Sequence, residues 1–303
     1  MKIGIIGTGS MGKNHVRVVN SINEFELVSI MDTDEKSLKE LSKIYPDVKQ
    51  YSDYKDILDG VDAVMVSTPT IKHYEIAKYF LENNKHVLIE KPIAETVEQA
   101  EELTALAKKK DLVLGVGHLE RFNPAIEFVN QKVKNPLFIE IQRLGSFSPR
   151  SLDIDVIMDL MIHDLDIVLN WDKSGVKQLD VSGIPIISKK IDIANVRLEF
   201  NSGLVANITA SRVSQAKTRK LRLFQKSGYF SIDYQTKEVK TYGMKDGNIF
   251  EIKPEIKNIE PLYNLWMNFY KTITTDTNYN VTAEDATKAL RLAKEIAEKI
   301  KNK

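Results

Sequence analysis

The chain opens on a short strand pattern, residues 2–6, apolar over 3–6, that ends at Gly7-Thr8-Gly9-Ser10-Met11-Gly12, and few folds place a G-x-G-x-x-G turn there. The first glycine permits a tight turn, the second lets backbone approach a pyrophosphate, and the third lets the next helix pack on the strand. The helix that follows offers unpaired N–H groups and a partial positive charge to phosphates. Alone, such a run is a weak signal. Here it follows a strand pattern, opens a helical pattern over 14–20, and precedes Asp32, 20 residues beyond Gly12 at the end of a second apolar run. A carboxylate at that spacing accepts from the adenosine ribose hydroxyls. Thr33-Asp34-Glu35 supplies no arginine for a 2′-phosphate, so NAD is expected rather than NADP.

The rhythm continues for about a hundred residues. Apolar runs at 27–31, 63–66, 86–89 and 112–116 read as strands, with amphipathic helices at 35–44, 74–82 and 97–109 between them. Continuous apolar strands separated by helices predict a parallel sheet covered on both faces, doubly wound by right-handed crossovers. After His118 the rhythm breaks, with Asn123-Pro124 and Asn135-Pro136 as boundary signals. A strand at 138–144 and a helix at 156–171 follow. Antiparallel strands are expected at 196–200, 204–211, 221–225, 229–233 and 238–242, turned by Asn201-Ser202-Gly203 and Ser227-Gly228. The last helix, 282–301, is opened by the pair Thr282 and Asp285. The fold class is therefore α/β: a Rossmann domain over 1–120, with helix 282–301 packed back on it, and an α+β domain over 121–281 with a mostly antiparallel sheet.

Composition removes several classes of function. The 303 residues suffice for two cores. With 43 basic against 42 acidic side chains, nothing favours nucleic acid or an anionic membrane as partner. The absence of cysteine excludes disulfides, thiolate metal sites and a cysteine nucleophile. No apolar run is long enough for a leader or a membrane span, so a cytoplasmic location is expected.

Two further features carry chemistry. Glu90-Lys91-Pro92 follows directly on the strand at 86–89, and ligands of open parallel sheets sit beyond the carboxyl ends of strands. Lys91 is thus a candidate to stabilise the alkoxide that forms as hydride leaves. The plain alternative is a surface lysine at a proline turn. The helix at 156–171 is apolar all round and so buried, yet it carries Asp159, His163, Asp164 and Asp166. Buried charge is costly unless paired or facing a cavity. Asp155, Asp159 and His163 fall at i, i+4 and i+8, one stripe of a regular helix, and a carboxylate beside an imidazole is how a general base is arranged. A core histidine with capping aspartates is the competing reading. A metal phosphohydrolase is disfavoured, because His15, His73, His86 and His118 are scattered over the nucleotide-binding half, and no metal is expected.

Gly7–Gly12, Thr68-Pro69 with His73, Glu90-Lys91-Pro92 and Asp159-x-x-x-His163-Asp164, in that order, resemble the glucose–fructose oxidoreductase and inositol dehydrogenase family (Gfo/Idh/MocA). The resemblance implies a Rossmann domain, a second domain with a large open sheet used for oligomer contacts, and hence a dimer or tetramer. It implies a catalytic set of Lys91, Asp159 and His163, in which His163 moves the hydroxyl proton, Lys91 polarises the oxygen and Asp159 orients the site. Gly7, Gly9, Ser10, Met11, Gly12, Asp32, Thr68, Pro69, His73, Glu90 and Lys91 would contact NAD. The stretches Gly117-His118-Leu119-Glu120-Arg121-Phe122-Asn123-Pro124 and Arg143 to Arg150 resemble a nucleotide-sugar subgroup, which oxidises the 3-hydroxyl of UDP-N-acetylglucosamine. His118, Arg121, Asn123, Arg143 and Arg150 are the candidate substrate contacts, the arginines toward a diphosphate. Two alternatives stay open: a dehydrogenase of a free polyol such as inositol, and an NAD-binding regulatory protein without turnover.

Overall fold

A computed structural model describes residues 1–147, 154–245, 247–275 and 277–302. The chain divides into two units, 1–118 with 260–287, and 119–259 with 288–303.

In the first unit, β1 (Lys2–Ile6), β2 (Glu26–Met31), β3 (Lys49–Tyr51), β4 (Ala63–Val66), β5 (His86–Ile89) and β6 (Leu114–Val116) form one sheet in the order β3-β2-β1-β4-β5-β6. Every pairing is parallel. Helices α1 (Ser10–Asn20), α2 (Glu35–Ser42), α3 (His73–Glu82) and α4 (Val97–Lys109) supply the crossovers. β4 is buried at all four positions, as a strand covered on both faces must be. α4 begins at Thr96, whose hydroxyl accepts from Gln99 N–H while the Gln99 side chain returns to Thr96 N–H. The expected strands are all present, and β3 is additional. It has three residues, is polar, and pairs only with β2, so it carries no apolar signal.

In the second unit α5 (Pro124–Asn130) starts at Asn123, whose side chain accepts from Ala125 N–H. After it come β7 (Phe138–Leu144), a π-helical turn (Ile157–Met161) and α6 (Ile162–Trp171). Then follow β8 (Val176–Ile184), β9 (Ile193–Phe200), β10 (Val205–Ser211), β11 (Thr218–Gln225), β12 (Gly228–Asp233), β13 (Glu238–Lys245) and β14 (Asn248–Ile252). The eight strands form one sheet in the order β14-β13-β12-β11-β7-β10-β9-β8. It is antiparallel except where β10 runs parallel to β7, a departure from the expected meander. Alternate residues of β9 are buried, so one face of the sheet meets the core and the other faces outward. β8 and β14 were not expected. β8 alternates mostly polar residues, and β14 is exposed along its length at the edge of the sheet.

The chain ends with α7 (Pro261–Thr274) and α8 (Ala283–Lys301). α7, absent from the sequence reading, lies in the first unit, with Leu262, Leu265, Trp266 and Phe269 buried at helical spacing behind Pro261. The Thr282 hydroxyl accepts from Asp285 N–H, the expected cap of α8. The helix was expected on the Rossmann domain. Its first turn, through Thr287, belongs to the first unit, and Ala289, Leu292, Ala293, Ile296, Ala297 and Ile300 belong to the core of the second. No helix among the described residues is long and apolar enough to cross a membrane.

One buried ion pair ties the loop before β9 to the segment after β10. Asp192 accepts from the N–H groups of Ile186, Ile187 and Ser188 at 2.7, 2.7 and 2.9 Å, and from Arg212 Nε at 2.8 Å. Burial works to raise its pKa, and these bonds outweigh it and hold the carboxyl well below the usual range. Asp192→Ala removes the carboxylate that Arg212 meets and lowers stability by about 3 kcal/mol at neutral pH. The contribution is present above the unfolded carboxyl value of about 4 and is lost as pH falls from there. Denaturant titrations should show the two proteins converging in acid. A difference that stays constant into acid would contradict this account.

Candidate active site and cofactor cradle

The glycine turn is packed as a nucleotide cradle requires. Gly7 has φ +89°, and a Cβ on it would lie 2.5 Å from the Ser67 carbonyl oxygen. A Cβ on Gly12 would lie 1.9 Å from the Gly7 oxygen, so α1 sits tightly against the end of β1. Gly9 differs: nothing lies within 4 Å of where its Cβ would be. It is the N-cap of α1, no side chain caps that helix, and the first turn carries no acidic residue. Free N–H groups, open space and a helix N-terminus together fit a pyrophosphate.

Gly7, Gly9, Asp32, Thr68 and Pro69 line one cavity of about 630 Å³. The Asp32 carboxylate accepts from Thr8 N–H at 2.6 Å, the Thr8 hydroxyl at 2.8 Å and Asp34 N–H at 2.9 Å. Burial pushes its pKa up, and these bonds outweigh that and hold it below the usual range. Asp34, Asp53 and Glu75 line the same cavity against one cation among the described residues, Lys72, so a 2′-phosphate would enter a cavity with an excess of carboxylates. Ser10 and Met11 are exposed on the first turn of α1.

His73 is turned inward rather than toward that cavity. It is 1% exposed, with Nδ1 2.8 Å from the Pro92 oxygen and Nε2 2.8 Å from the Thr68 oxygen. It therefore braces the loops after β4 and β5, with both ring nitrogens on backbone carbonyls. Burial lowers its pKa, and a neutral ring donates to one of the two carbonyls at a time. Glu90 and Lys91 follow β5, and the peptide from Lys91 to Pro92 is cis. Glu90 Oε1 lies 3.0 Å from His15 Nε2, and Oε2 accepts from Lys91 N–H at 3.2 Å. A Cβ on Gly117 would lie 3.2 Å from the Glu90 carboxyl carbon, so glycine there leaves room for the carboxylate. His118 is buried at 1% exposure.

In the second unit, Asp159 lies in the π-helical turn and His163 in the first turn of α6, both half-buried. The expected stripe from Asp155 is corrected. Asp155 precedes the helix, and its Oδ1 accepts from Met158 N–H as a cap. Asp164 and Asp166, not Asp159 and His163, are the acids driven fully inside. Asp164 takes two Arg143 hydrogen bonds of 2.7 Å, through Nε and Nη2, and Arg143 Nη1 reaches Glu120 at 2.8 Å. Burial pushes the Asp164 carboxyl up while Arg143 pulls it down. Arg143, expected to meet a diphosphate, has a side chain 3% exposed and is committed to this network over the Tyr234 ring. Arg121 is buried 3.6 Å from Asp166. Asn123 caps α5 and donates to the Tyr234 oxygen. Arg150 lies outside the described residues.

Sequence reasoning missed His15, Trp266, Glu120 and Arg219. Arg219 stands directly opposite Arg143 across β11 and β7, a like-charge pair that Glu120 bridges. Only the register of two strands far apart in sequence reveals it.

A family model described as "Oxidoreductase family, NAD-binding Rossmann fold" matches residues 1–118. The chain is 35% identical over 257 residues to a UDP-N-acetylglucosamine 3-dehydrogenase of Acidithiobacillus ferrooxidans, covering 82% of this chain and 79% of that one. The chain belongs to the Gfo/Idh/MocA family. This family membership makes it an NAD-dependent oxidoreductase acting on CH–OH groups. A solved structure of UDP-N-acetylglucosamine 3-dehydrogenase GnnA from A. ferrooxidans matches with TM-score 0.94 at 30% identity, over 100% of this chain and 98% of that one. A myo-inositol 2-dehydrogenase of Thermotoga maritima is 28% identical over 229 residues, 70% of this chain and 69% of that one.

The cradle makes a direct prediction. Asp32→Asn removes a charge-assisted acceptor and should weaken NAD binding about tenfold. NADP should lose less, which narrows the gap between the two cofactors. Fluorescence titration with each cofactor measures this, and an unchanged NAD affinity would remove Asp32 from the site.

Proposed function

We propose that the chain oxidises a secondary hydroxyl of a nucleotide sugar, the 3-hydroxyl of UDP-N-acetylglucosamine, to the ketone. The observation that carries this reading is the likeness to the UDP-N-acetylglucosamine 3-dehydrogenase of A. ferrooxidans, which extends through both units at higher identity than the likeness to the inositol enzyme. In this reading His163 takes the hydroxyl proton, and Lys91 stabilises the alkoxide as the C–H bond breaks. Asp159 orients the site. NAD, when bound, accepts the hydride, so the products are the ketone, NADH and one proton.

One observation favours a free polyol instead. Arg143 is held by Asp164 and Glu120, which takes away one of the cations expected at a diphosphate.

Absorbance of NADH, with UDP-N-acetylglucosamine, myo-inositol and simple hexoses as substrates, decides between them. The proposal expects turnover with the nucleotide sugar. Turnover with inositol alone would establish the second reading. Lys91→Ala and His163→Ala should each cut turnover by about a hundredfold or more, with NAD affinity in His163→Ala close to that of the unaltered protein. Unchanged turnover in both would remove the assigned roles.

A further inference from the structure

His15 lies on the inner face of α1 and is 0% exposed. Its two ring nitrogens meet different partners. The indole Nε1–H of Trp266, in α7, points at Nδ1 from 3.0 Å, with the rings edge to face at 5.8 Å. Glu90 Oε1 lies 3.0 Å from Nε2. An indole nitrogen can only donate. Nδ1 must therefore accept, and the ring proton sits on Nε2 and is donated to Glu90. Trp266 selects the tautomer, the task usually given to an acceptor on the far nitrogen of a functional histidine.

Four titratable groups face Glu90: His15 from α1, His73 from α3, Lys91 next in the chain, and Tyr279 from the segment after α7. Burial acts to raise the Glu90 carboxyl. The His15 hydrogen bond and the charges around it, Lys91 included, outweigh burial and hold it below the usual range. His15 thus offers this carboxylate a directed donor.

We propose that His15, locked in one tautomer by Trp266, is a positioning residue that fixes Glu90 as the charged partner of Lys91 during hydride transfer. This rests on the reading above, in which Lys91 stabilises the alkoxide. Without the Nε2–H, burial is less strongly opposed and Glu90 keeps a proton to higher pH. Lys91 then loses a fixed negative neighbour in the acid half of the working range.

Nitrogen-15 NMR of the cofactor-free protein tests the tautomer directly. His15 Nδ1 should be unprotonated and Nε2 protonated, and the opposite pattern overturns the proposal. His15→Gln keeps an acceptor for Trp266 and a donor for Glu90, whereas His15→Phe keeps the ring and removes both. His15→Phe should move the acid limb of kcat upward by about one pH unit, with the substrate KM little changed. NAD binding by the cofactor-free protein should show the same shift, and His15→Gln should restore both profiles. A folded His15→Phe protein whose profiles overlay the wild type overturns the proposal. Should His15→Phe fail to fold, Trp266→Phe removes the indole donor alone and must move the His15 Nδ1 resonance, while the Glu90 carboxylate still holds the proton on Nε2; an unchanged Nδ1 resonance there also overturns it. If the wild-type protein turns over no sugar, the substrate reading fails, while the NMR and NAD-binding arms still decide this inference.

Discussion

The close approach of Gly12 to Gly7 is the constraint on which the first unit depends. A single methyl group on Gly12 would sit 1.9 Å from a backbone oxygen, so the helix can reach the strand only through glycine. That approach sets the line of α1. Along that line stand Val16 and Val19 in the core, and His15 between Trp266 and Glu90. The same turn leaves Gly9 open at the helix N-terminus. Packing and cofactor recognition therefore share six residues, the tight positions serving the first and the open one the second.

In the second unit the organising fact is a buried charge network. Arg143, Asp164 and, in large part, Glu120 are taken out of water together, which costs less than burying any one alone because Arg143 gives hydrogen bonds to both carboxylates. The network anchors the first turn of α6 to β7. His163 precedes Asp164 in that turn, so its backbone inherits the rigidity of the pair. The π-helical turn before it places Asp159 one residue out of the register of a regular helix.

How far this was legible in the sequence follows from the range of the interactions. β1, β4 and β5 announce themselves because strands buried on both faces are apolar over most of their length. β3, β8 and β14 do not, since edge strands take their stability from one neighbour and can be polar. α7 had a local signal, Pro261 with apolar residues at 262, 265, 266 and 269, which the reading passed over. Gly7, Gly9 and Asp32 were identifiable because a loop motif is local. The buried pairing of Arg143 was not legible, because its partner lies 21 residues on and a charge count does not show which cation a fold will bury. The His15–Trp266 bond, spanning 251 residues, lies beyond any pattern in one sequence.

The central claim, that the glycine turn is a dinucleotide cradle whose open position is kept free for a pyrophosphate, meets its most direct test in Gly9→Ala. No protein atom lies where the new methyl group would go, so the variant should fold with an unchanged melting temperature. Its affinity for NAD should fall at least about tenfold, because the methyl group occupies the space of the phosphates. A Gly9→Ala protein that binds NAD as tightly as the unaltered chain would contradict the account.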